Sequence, residues 1–203
     1  MCNGSNGNLR LSNIGCIPRC FALIDCENLA SAVQRAAASR WAGCERIELF
    51  GRAALVAPWR QALAAAALTV ADETIIADDA PSQAADQAMA RRVDGLIATD
   101  RPARVVIASN DKGFDADIAR LLAAGIAAER HRDLTVPETL ALVVAEQAGN
   151  GWAAAGGIGD HLHRRFGITL RGRVEALARA AGLEVRRTPA GLMLKVRAAD
   201  GSS

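Results

Sequence analysis

Three acidic residues within seven positions are the chain's strongest indication of chemistry. Asp111, Asp115 and Asp117 close the segment Arg104–Asp117, RVVIASNDKGFDAD. Carboxylates this close repel one another unless protons or a cation neutralise them. Carboxylate oxygens are the ligands that Mg²⁺ and Mn²⁺ prefer. The segment therefore indicates a divalent metal site.

The elements around these acids predict where they lie. The apolar run Val105–Ala108 is typical of a buried strand, and the apolar spacing from Ile118 onward predicts a helix. A second buried run, Phe21–Ile24, ends in Asp25. In an open parallel sheet, ligands bind beyond the carboxyl ends of the strands, so neighbouring strands would bring Asp25 and Asp111 to one edge. The alternative is that Asp25 or Asn28 caps the following helix.

Asp86 is the third acid that the pattern selects. On its helix it shares a face with Met89, Ala90, Val93 and Ile97, which is the stripe expected to face the core. A buried carboxylate needs a partner because an unpaired buried charge is costly. The alternatives are an ion pair with an arginine and a capping role at the helix start. Together with Asp25 and Asp111, Asp86 is expected to line one crevice, where one or two metal ions would activate water for in-line displacement at a phosphodiester.

Strands and helices alternate over about 130 residues, which predicts a parallel sheet with helices on both faces. Strands are predicted at 21–24, 47–50, 73–77, 104–109 and 127–131, and helices at 29–39, 58–68, 82–98, 118–126 and 137–147. Ser82 is the expected N-cap of the third helix, and Pro137 opens the fifth. We therefore expect an α/β fold, a three-layer α/β/α domain with a mainly parallel sheet, over residues 20–148.

The rest of the chain divides into a lead, a linker and a small module. Residues 1–19 lack the charged start and apolar stretch of a signal peptide and are expected to be a disordered lead. Residues 149–157 have the small, flexible composition of a linker. Two short helical patterns and two strand patterns over 158–203 predict a winged-helix-like module.

Charge and cysteine content limit the partners and the compartment. From Asn150 to Ser203 there are nine basic and four acidic residues, a balance of +5 in a chain of net charge +2, which indicates a polyanionic partner. Five cysteines without framework spacing predict reduced thiols and a cytoplasmic protein, although Cys16 and Cys20 would be able to pair. No apolar run reaches the ~18 residues that a spanning helix needs, so no membrane partner is expected.

The acidic segments resemble the NYN branch of the PIN-like nucleases. The residues that carry the resemblance are ALIDCEN (22–28), QAADQAMARRVDGLI (83–97) and VVIASNDKGFDADI (105–118), and it covers about residues 20–132. It implies a Rossmannoid, metal-dependent ribonuclease that leaves 5′-phosphate and 3′-hydroxyl ends. It also implies that Asp25, Asp86, Asp111 and Asp115 are the catalytic metal ligands, that Asn28 supports them, and that Asp115 replaces the aspartate that many members carry where this chain has Gly113.

The tail from Gly157 to Val196 is similar to the OST-HTH (LOTUS) modules that follow some NYN domains and bind RNA. This similarity, with the excess of arginine, makes RNA the expected partner. The predicted RNA contacts are Ser109, Lys112, Arg164, Arg165, Arg171 and Arg173. The alternative is a generic small domain that stabilises or dimerises the protein, as a homodimer.

We therefore predict a cytoplasmic ribonuclease that uses Mg²⁺ or Mn²⁺ and guides RNA with a basic tail. The rival hypothesis is a non-catalytic RNA-binding adaptor that keeps the fold. A metal-dependent phosphatase is a third hypothesis, but it would need a DxD pair where the chain has Asp-Cys-Glu-Asn, residues 25–28.

Overall fold

Five parallel strands form the central sheet. The computed structural model describes residues 19–149 and 151–197, so the predicted lead lies outside the described residues except for Arg19. The strands are β1 (Cys20–Asp25), β2 (Arg46–Arg52), β3 (Asp72–Ile76), β4 (Arg104–Ala108) and β5 (Ala127–His131). They lie in the order β3-β2-β1-β4-β5, all parallel. The central strand β1 is buried throughout, whereas the edge strands β3 and β5 are partly exposed.

Helices flank this sheet on both faces. The helices of this part of the chain are α1 (Ala32–Ala36), α2 (Ala53–Ala65), α3 (Ala84–Gly95), α4 (Asp115–Ala123) and α5 (Val136–Ala148); α2 packs on one face of the sheet, and α3 and α4 pack on the other. Side chains alternate along a strand, so Ala22 and Ile24 of β1 pack with α2 while Phe21 and Leu23 pack with α3 and α4. The predicted α/β fold with a parallel sheet is confirmed, and the packing is compatible with three layers.

Four predicted helix starts are wrong by two residues or more, including the fourth, which lies at Asp115 and not at Ile118. The first helix begins at Ala32, not Leu29, because Ser31 caps it: the Ser31 hydroxyl accepts the backbone N–H of Gln34 at 3.3 Å. The Asp25 carboxylate caps only the turn before it, by accepting the N–H groups of Glu27 and Asn28. The second begins at Ala53 and contains Pro58, because its buried face starts at Val56, before the proline.

The third helix begins at Ala84, after Gln83, and Ser82 does not cap it. This helix continues beyond Gly95 as one π-helical turn, Leu96–Asp100. A buried ion pair fixes α3 to the sheet: the fully buried Glu48 of β2 accepts two hydrogen bonds from Arg92, at 2.7 and 2.8 Å. Anchoring α3 in this way fixes the position of Asp86 in its first turn.

The C-terminal part has two helices and a small antiparallel sheet. They are β6 (Ala153–Ala154), α6 (Ala155–Phe166), α7 (Val174–Ala180), β7 (Glu184–Thr188) and β8 (Gly191–Lys195), with strand order β6-β8-β7. The sequence did not predict β6, which is too short to leave a pattern. Together, β6 and the start of α6 occupy positions 153–157 of the predicted linker, so the connection after α5 is shorter than expected.

One hydrophobic cluster joins this C-terminal part to α5. Leu140, Val143 and Val144 of α5 are fully buried in the same cluster as Leu162 of α6 and Leu194 of β8. The cluster therefore crosses the boundary predicted between the two domains. No helix in the described ranges is long and apolar enough to cross a membrane.

Candidate acidic site at the carboxyl edge of the sheet

Asp25 is the buried centre of the site. It ends β1, one position beyond the pairing of Ile24 with Ala108 of β4, and its side chain is fully buried. One carboxylate oxygen accepts the backbone N–H groups of Glu27 and Asn28, both at 3.1 Å. The other accepts the Asn28 amide at 2.6 Å and the Ser109 hydroxyl at 2.7 Å. Four donors thus satisfy the roughly four acceptor positions of a carboxylate.

Ser109 connects Asp25 to the acidic turn. Its hydroxyl donates to Asp25 and accepts the backbone N–H of Asp111 at 3.1 Å. Asp111 in turn caps a short 3₁₀ turn, Lys112–Phe114, by accepting the N–H of Gly113 at 2.8 Å. A Cβ at position 113 would lie 3.3 Å from the Asp111 carboxylate, so glycine lets the turn close against it.

Asp86 and Asp111 face each other across a cleft of about 280 Å³. Asp86 lies in the first turn of α3, and Asp111 lies just beyond β4. The cleft is lined by Gln83, Asp86, Gln87, Ala90, Asp111, Gly113, Phe114 and Asp117. The structure therefore brings together two acids that lie 25 positions apart in the sequence.

The other acids of the site affect the ionisation of Asp86. Burial is the main reason that the pKa of Asp86 is raised to about 6, and the negative charges of Asp25, Asp111 and Glu27 contribute to the same shift. Like charges act this way because each disfavours ionisation of the other. Among the described residues, Asp86 has no arginine or lysine partner, which removes the ion-pair alternative for this side chain.

Asp117 belongs to the cleft, although the sequence did not select it as a site residue. It is buried, it lines the cleft, and burial raises the pKa of its carboxyl group. Arg120 pairs with it at 2.8 Å. The sequence signal for Asp117 was its position within the acidic segment. The side of α4 on which Asp117 lies, however, depends on where the preceding 3₁₀ turn ends.

Asp115 takes a different place from the one predicted. Its side chain is 62% exposed, it does not line the cleft, and it pairs with Arg130 at 2.8 Å. Arg130 also donates to the backbone carbonyl of Asn110 at 3.1 Å. Asp115 therefore supports the turn through Arg130 and does not join Asp86 and Asp111.

An ion pair between Arg52 and Glu27 lies at the same carboxyl edge of the sheet. Arg52 pairs with Glu27 at 2.7 Å and donates to the carbonyl of Ala80, at 3.1 Å, in the loop before α3. This pair links the end of β2 to the loop that leads to Asp86.

The predicted RNA contacts lie in different environments. Ser109 is fully buried, so its hydroxyl supports Asp25 and does not face solvent. Arg165 pairs with Glu146 of α5 and donates to the carbonyl of Ala36, which makes it part of the packing between helices. The remaining four are exposed: Lys112, Arg164, Arg171 and Arg173.

The donor set fits Mg²⁺ in a limited way. In the ranges 19–149 and 151–197, no three His, Cys, Asp or Glu side chains converge into a group that would hold a metal ion. Mg²⁺, however, keeps several waters and is commonly held by one or two carboxylates. Asp86 and Asp111 at the cleft meet that requirement, whereas Asp25 has its acceptor positions filled.

Comparison with known families, curated proteins and solved structures gives no match for this chain.

Proposed function

We propose that this chain is a Mg²⁺- or Mn²⁺-dependent ribonuclease with a PIN-like, Rossmannoid nuclease domain. The observation that carries the proposal is the convergence of Asp25, Asp86 and Asp111, from three separate segments, at the carboxyl edge of a parallel sheet. Ligands bind at this edge in such folds. Burial, together with repulsion by Asp25, Asp111 and Glu27, raises the pKa of Asp86 to about 6, and a cation would relieve the repulsion.

In this proposal Asp86 and Asp111 hold the cation, and Asp117 lies beside them in the cleft. Asp25 orders the acidic turn through Ser109, and Asn28 keeps Asp25 in place. A divalent cation bound there would supply an activated water and neutralise charge at a phosphodiester. Lys112, exposed beside Asp111, is available for an RNA phosphate.

We also propose that residues 158–197 form the winged-helix-like, OST-HTH-type module that binds RNA. Two helices followed by the hairpin β7–β8 support this proposal, as does the exposure of Arg171 and Arg173. Phosphate neutralisation by such arginines would supply affinity with little dependence on sequence.

The test is cleavage of labelled single-stranded and structured RNA with Mn²⁺, comparing wild type with Asp111→Asn. Asparagine keeps the helix-capping acceptor, so the fold should survive while cleavage falls by at least about a hundredfold. EDTA should abolish wild-type cleavage. Asp79→Asn, in the exposed loop before α3, is the matched control and should cleave normally.

A second readout does not depend on turnover. Mn²⁺ should raise the unfolding midpoint of wild type, because a ligand that binds the folded state stabilises it. The same addition should leave Asp111→Asn nearly unchanged. Equal shifts in both proteins would place the cation elsewhere and contradict the proposed site.

The non-catalytic RNA-binding adaptor remains the second candidate, because one observation favours it. All acceptor positions of Asp25 are occupied, so only two or three carboxylates face the cleft. RNA binding without cleavage at any Mn²⁺ concentration would favour the adaptor over the nuclease.

A further inference from the structure

Trp152 differs from the other two tryptophans of the chain. Trp41 and Trp59 are fully buried, and their ring centroids lie 5.3 Å apart in the core beside α2. Trp152 is only partly buried and lies immediately before β6. A large aromatic side chain that keeps part of its surface in solvent is suited to contact another molecule.

The register of the small sheet shows which of its residues share a face with Trp152. Leu194 pairs with Val185 and Ala153, and all three belong to the cluster beneath the sheet. Alternation therefore assigns Lys195 and Arg186, neighbours of Leu194 and Val185, to the opposite face. We call this opposite side the outer face; its members are Trp152, Ala154, Glu184, Arg186, Met193 and Lys195.

Two cations lie against the Trp152 ring. The Arg186 guanidinium carbon is 4.8 Å from the ring centroid, and the Lys195 ammonium nitrogen is 5.9 Å from it. Within the part of the chain that the structure describes, neither cation pairs with a carboxylate; Arg187, on the other face, pairs with Glu175. The ring fixes the two charges in place, and they remain available to an external anion.

We propose that the outer face stacks unpaired nucleobases of single-stranded RNA, with Trp152 and Arg186 as the stacking surface. Bases stack on aromatic rings and on guanidinium planes, while neighbouring cations neutralise the phosphates. Bases of a duplex are already stacked on each other, so the face selects single strands. This proposal rests on the proposed function in one respect, namely that RNA is the molecule the protein handles.

The outer face is separate from the acidic cleft. The cleft lies between the end of β4 and the start of α3, whereas the outer face belongs to the small sheet of β6, β7 and β8. The outer face would thus hold RNA by its bases without using a residue of the cleft. Binding can therefore be measured in EDTA, where cleavage does not occur.

The test is fluorescence anisotropy with the full chain and labelled 12-nucleotide oligo(U), oligo(A) and a 12-base-pair RNA duplex in EDTA. Trp152→Ala should weaken single-strand binding about tenfold, within the range for loss of one stacked base. Trp152→Phe should restore most of that affinity. Arg186→Gln should weaken binding and reduce the slope of log affinity against log salt concentration by about one. Trp152→Ala should leave that slope unchanged, because it removes no charge.

Arg179→Gln is the matched control, because it removes one exposed charge of the same module away from the outer face. Tryptophan emission adds a direct readout: RNA should quench it in wild type and not in Trp152→Phe, since the other two indoles are buried. Equal losses in Arg179→Gln and Arg186→Gln, with Trp152→Ala unchanged, would overturn the proposal. Equal affinity for duplex and single strand would also overturn it.

The outcomes separate this proposal from the nuclease. A protein that binds through Trp152 and never cleaves RNA supports the outer face and contradicts the nuclease. A protein that cleaves RNA while Trp152→Ala binds and cleaves like wild type contradicts the outer face alone.

Discussion

At the scale of single residues, Asp86 experiences the strongest conflict in the site. It lies on the side of α3 that faces the core, beside Met89 and Val93, and its nearest charges are other carboxylates. The folded chain therefore keeps an unfavourable charge that a stability requirement alone would have removed. Such conflicts are typical of functional sites, where stability is exchanged for activity.

The first prediction concerns Asp86→Asn. The pKa of Asp86 in the folded protein, about 6, exceeds its ordinary value of 3.8. The folded state therefore binds the proton more tightly, so wild-type stability falls as pH rises from about 4 to about 6. In EDTA, Asp86→Asn should be more stable than wild type at pH 7.5, by at most about 1 kcal/mol because solvent screens this partly exposed group. At pH 4.5 the difference should shrink.

Urea unfolding of both proteins at the two pH values measures this difference. Asp79→Asn should show no comparable pH dependence, because it lies in an exposed loop. A destabilised Asp86→Asn at pH 7.5 would mean that the carboxylate has a favourable partner, and the repulsion argument would be wrong.

Residue by residue, the sequence predicts the acids at strand ends better than those on the following helix. Asp25 and Asp111 are fixed by the ends of β1 and β4, which apolar runs mark clearly. Asp115 and Asp117 lie on a helix whose start depends on one 3₁₀ turn. A shift of a single residue rotates a helix by about 100°, so the sequence pattern does not show that Asp117 is buried, and the expectation for Asp115 rests on the resemblance.

At the scale of elements, β2 approaches the turn after β1 closely because its penultimate residue is glycine. Gly51 has φ +146°, a conformation that L side chains rarely adopt. A Cβ there would lie 3.2 Å from the Glu27 side chain and 3.3 Å from that of Cys26. The close approach places Arg52 against Glu27 and so connects β2 to the turn after β1.

The second prediction is that Gly51→Ala destabilises the protein by about 1 to 3 kcal/mol, since it adds both backbone strain and crowding. Thermal unfolding followed by circular dichroism measures the loss. Gly43→Ala is the matched control: its Cβ would meet nothing within 4 Å, so its stability should stay within about 0.5 kcal/mol of wild type. Similar losses of stability in Gly51→Ala and Gly43→Ala would show that the close approach of Gly51 to Glu27 and Cys26 does not cause the destabilisation.

The element boundaries show why the sequence pattern was incomplete. Apolar periodicity located every strand of the central sheet, because β1 and β4 are buried on both faces. It misplaced helix starts because apolar spacing does not determine where the first turn begins. The Ser31 hydroxyl, for example, accepts the backbone N–H of Gln34 and so begins α1 at Ala32. No single-residue pattern carries that information.

At the scale of the whole molecule, α5 packs with the C-terminal part of the chain. It follows β5 of the central sheet, yet Leu140, Val143 and Val144 are buried in the cluster that contains α6 and β8. Arg165 of α6 adds an ion pair with Glu146 of α5, at 2.6 Å. The sequence predicted a flexible linker between two domains. An apolar helix face in a sequence does not indicate which element it packs against, so the packing of α5 was not predicted.

The third prediction follows: a chain truncated after Gly149 should not behave as an independent domain. Truncation exposes the three apolar side chains of α5, and fully burying each contributes about 1.5 to 3 kcal/mol. The truncated chain should therefore melt at least about 10 °C below the full chain, or self-associate through the exposed face. Differential scanning calorimetry and size-exclusion chromatography with light scattering measure these two outcomes.

Paired substitutions distinguish an exposed face from general damage. Leu140→Gln with Val144→Gln should make the truncated chain more soluble and monomeric, because polar side chains suit a surface that has lost its cover. In the full chain the same pair should be strongly destabilising, since it buries two amides in an apolar cluster. The prediction is contradicted if the truncated wild-type sequence is monomeric and unfolds at the same temperature as the full chain. In that case α5 belongs to the central domain alone, and the C-terminal module is an independent unit joined by a short connection.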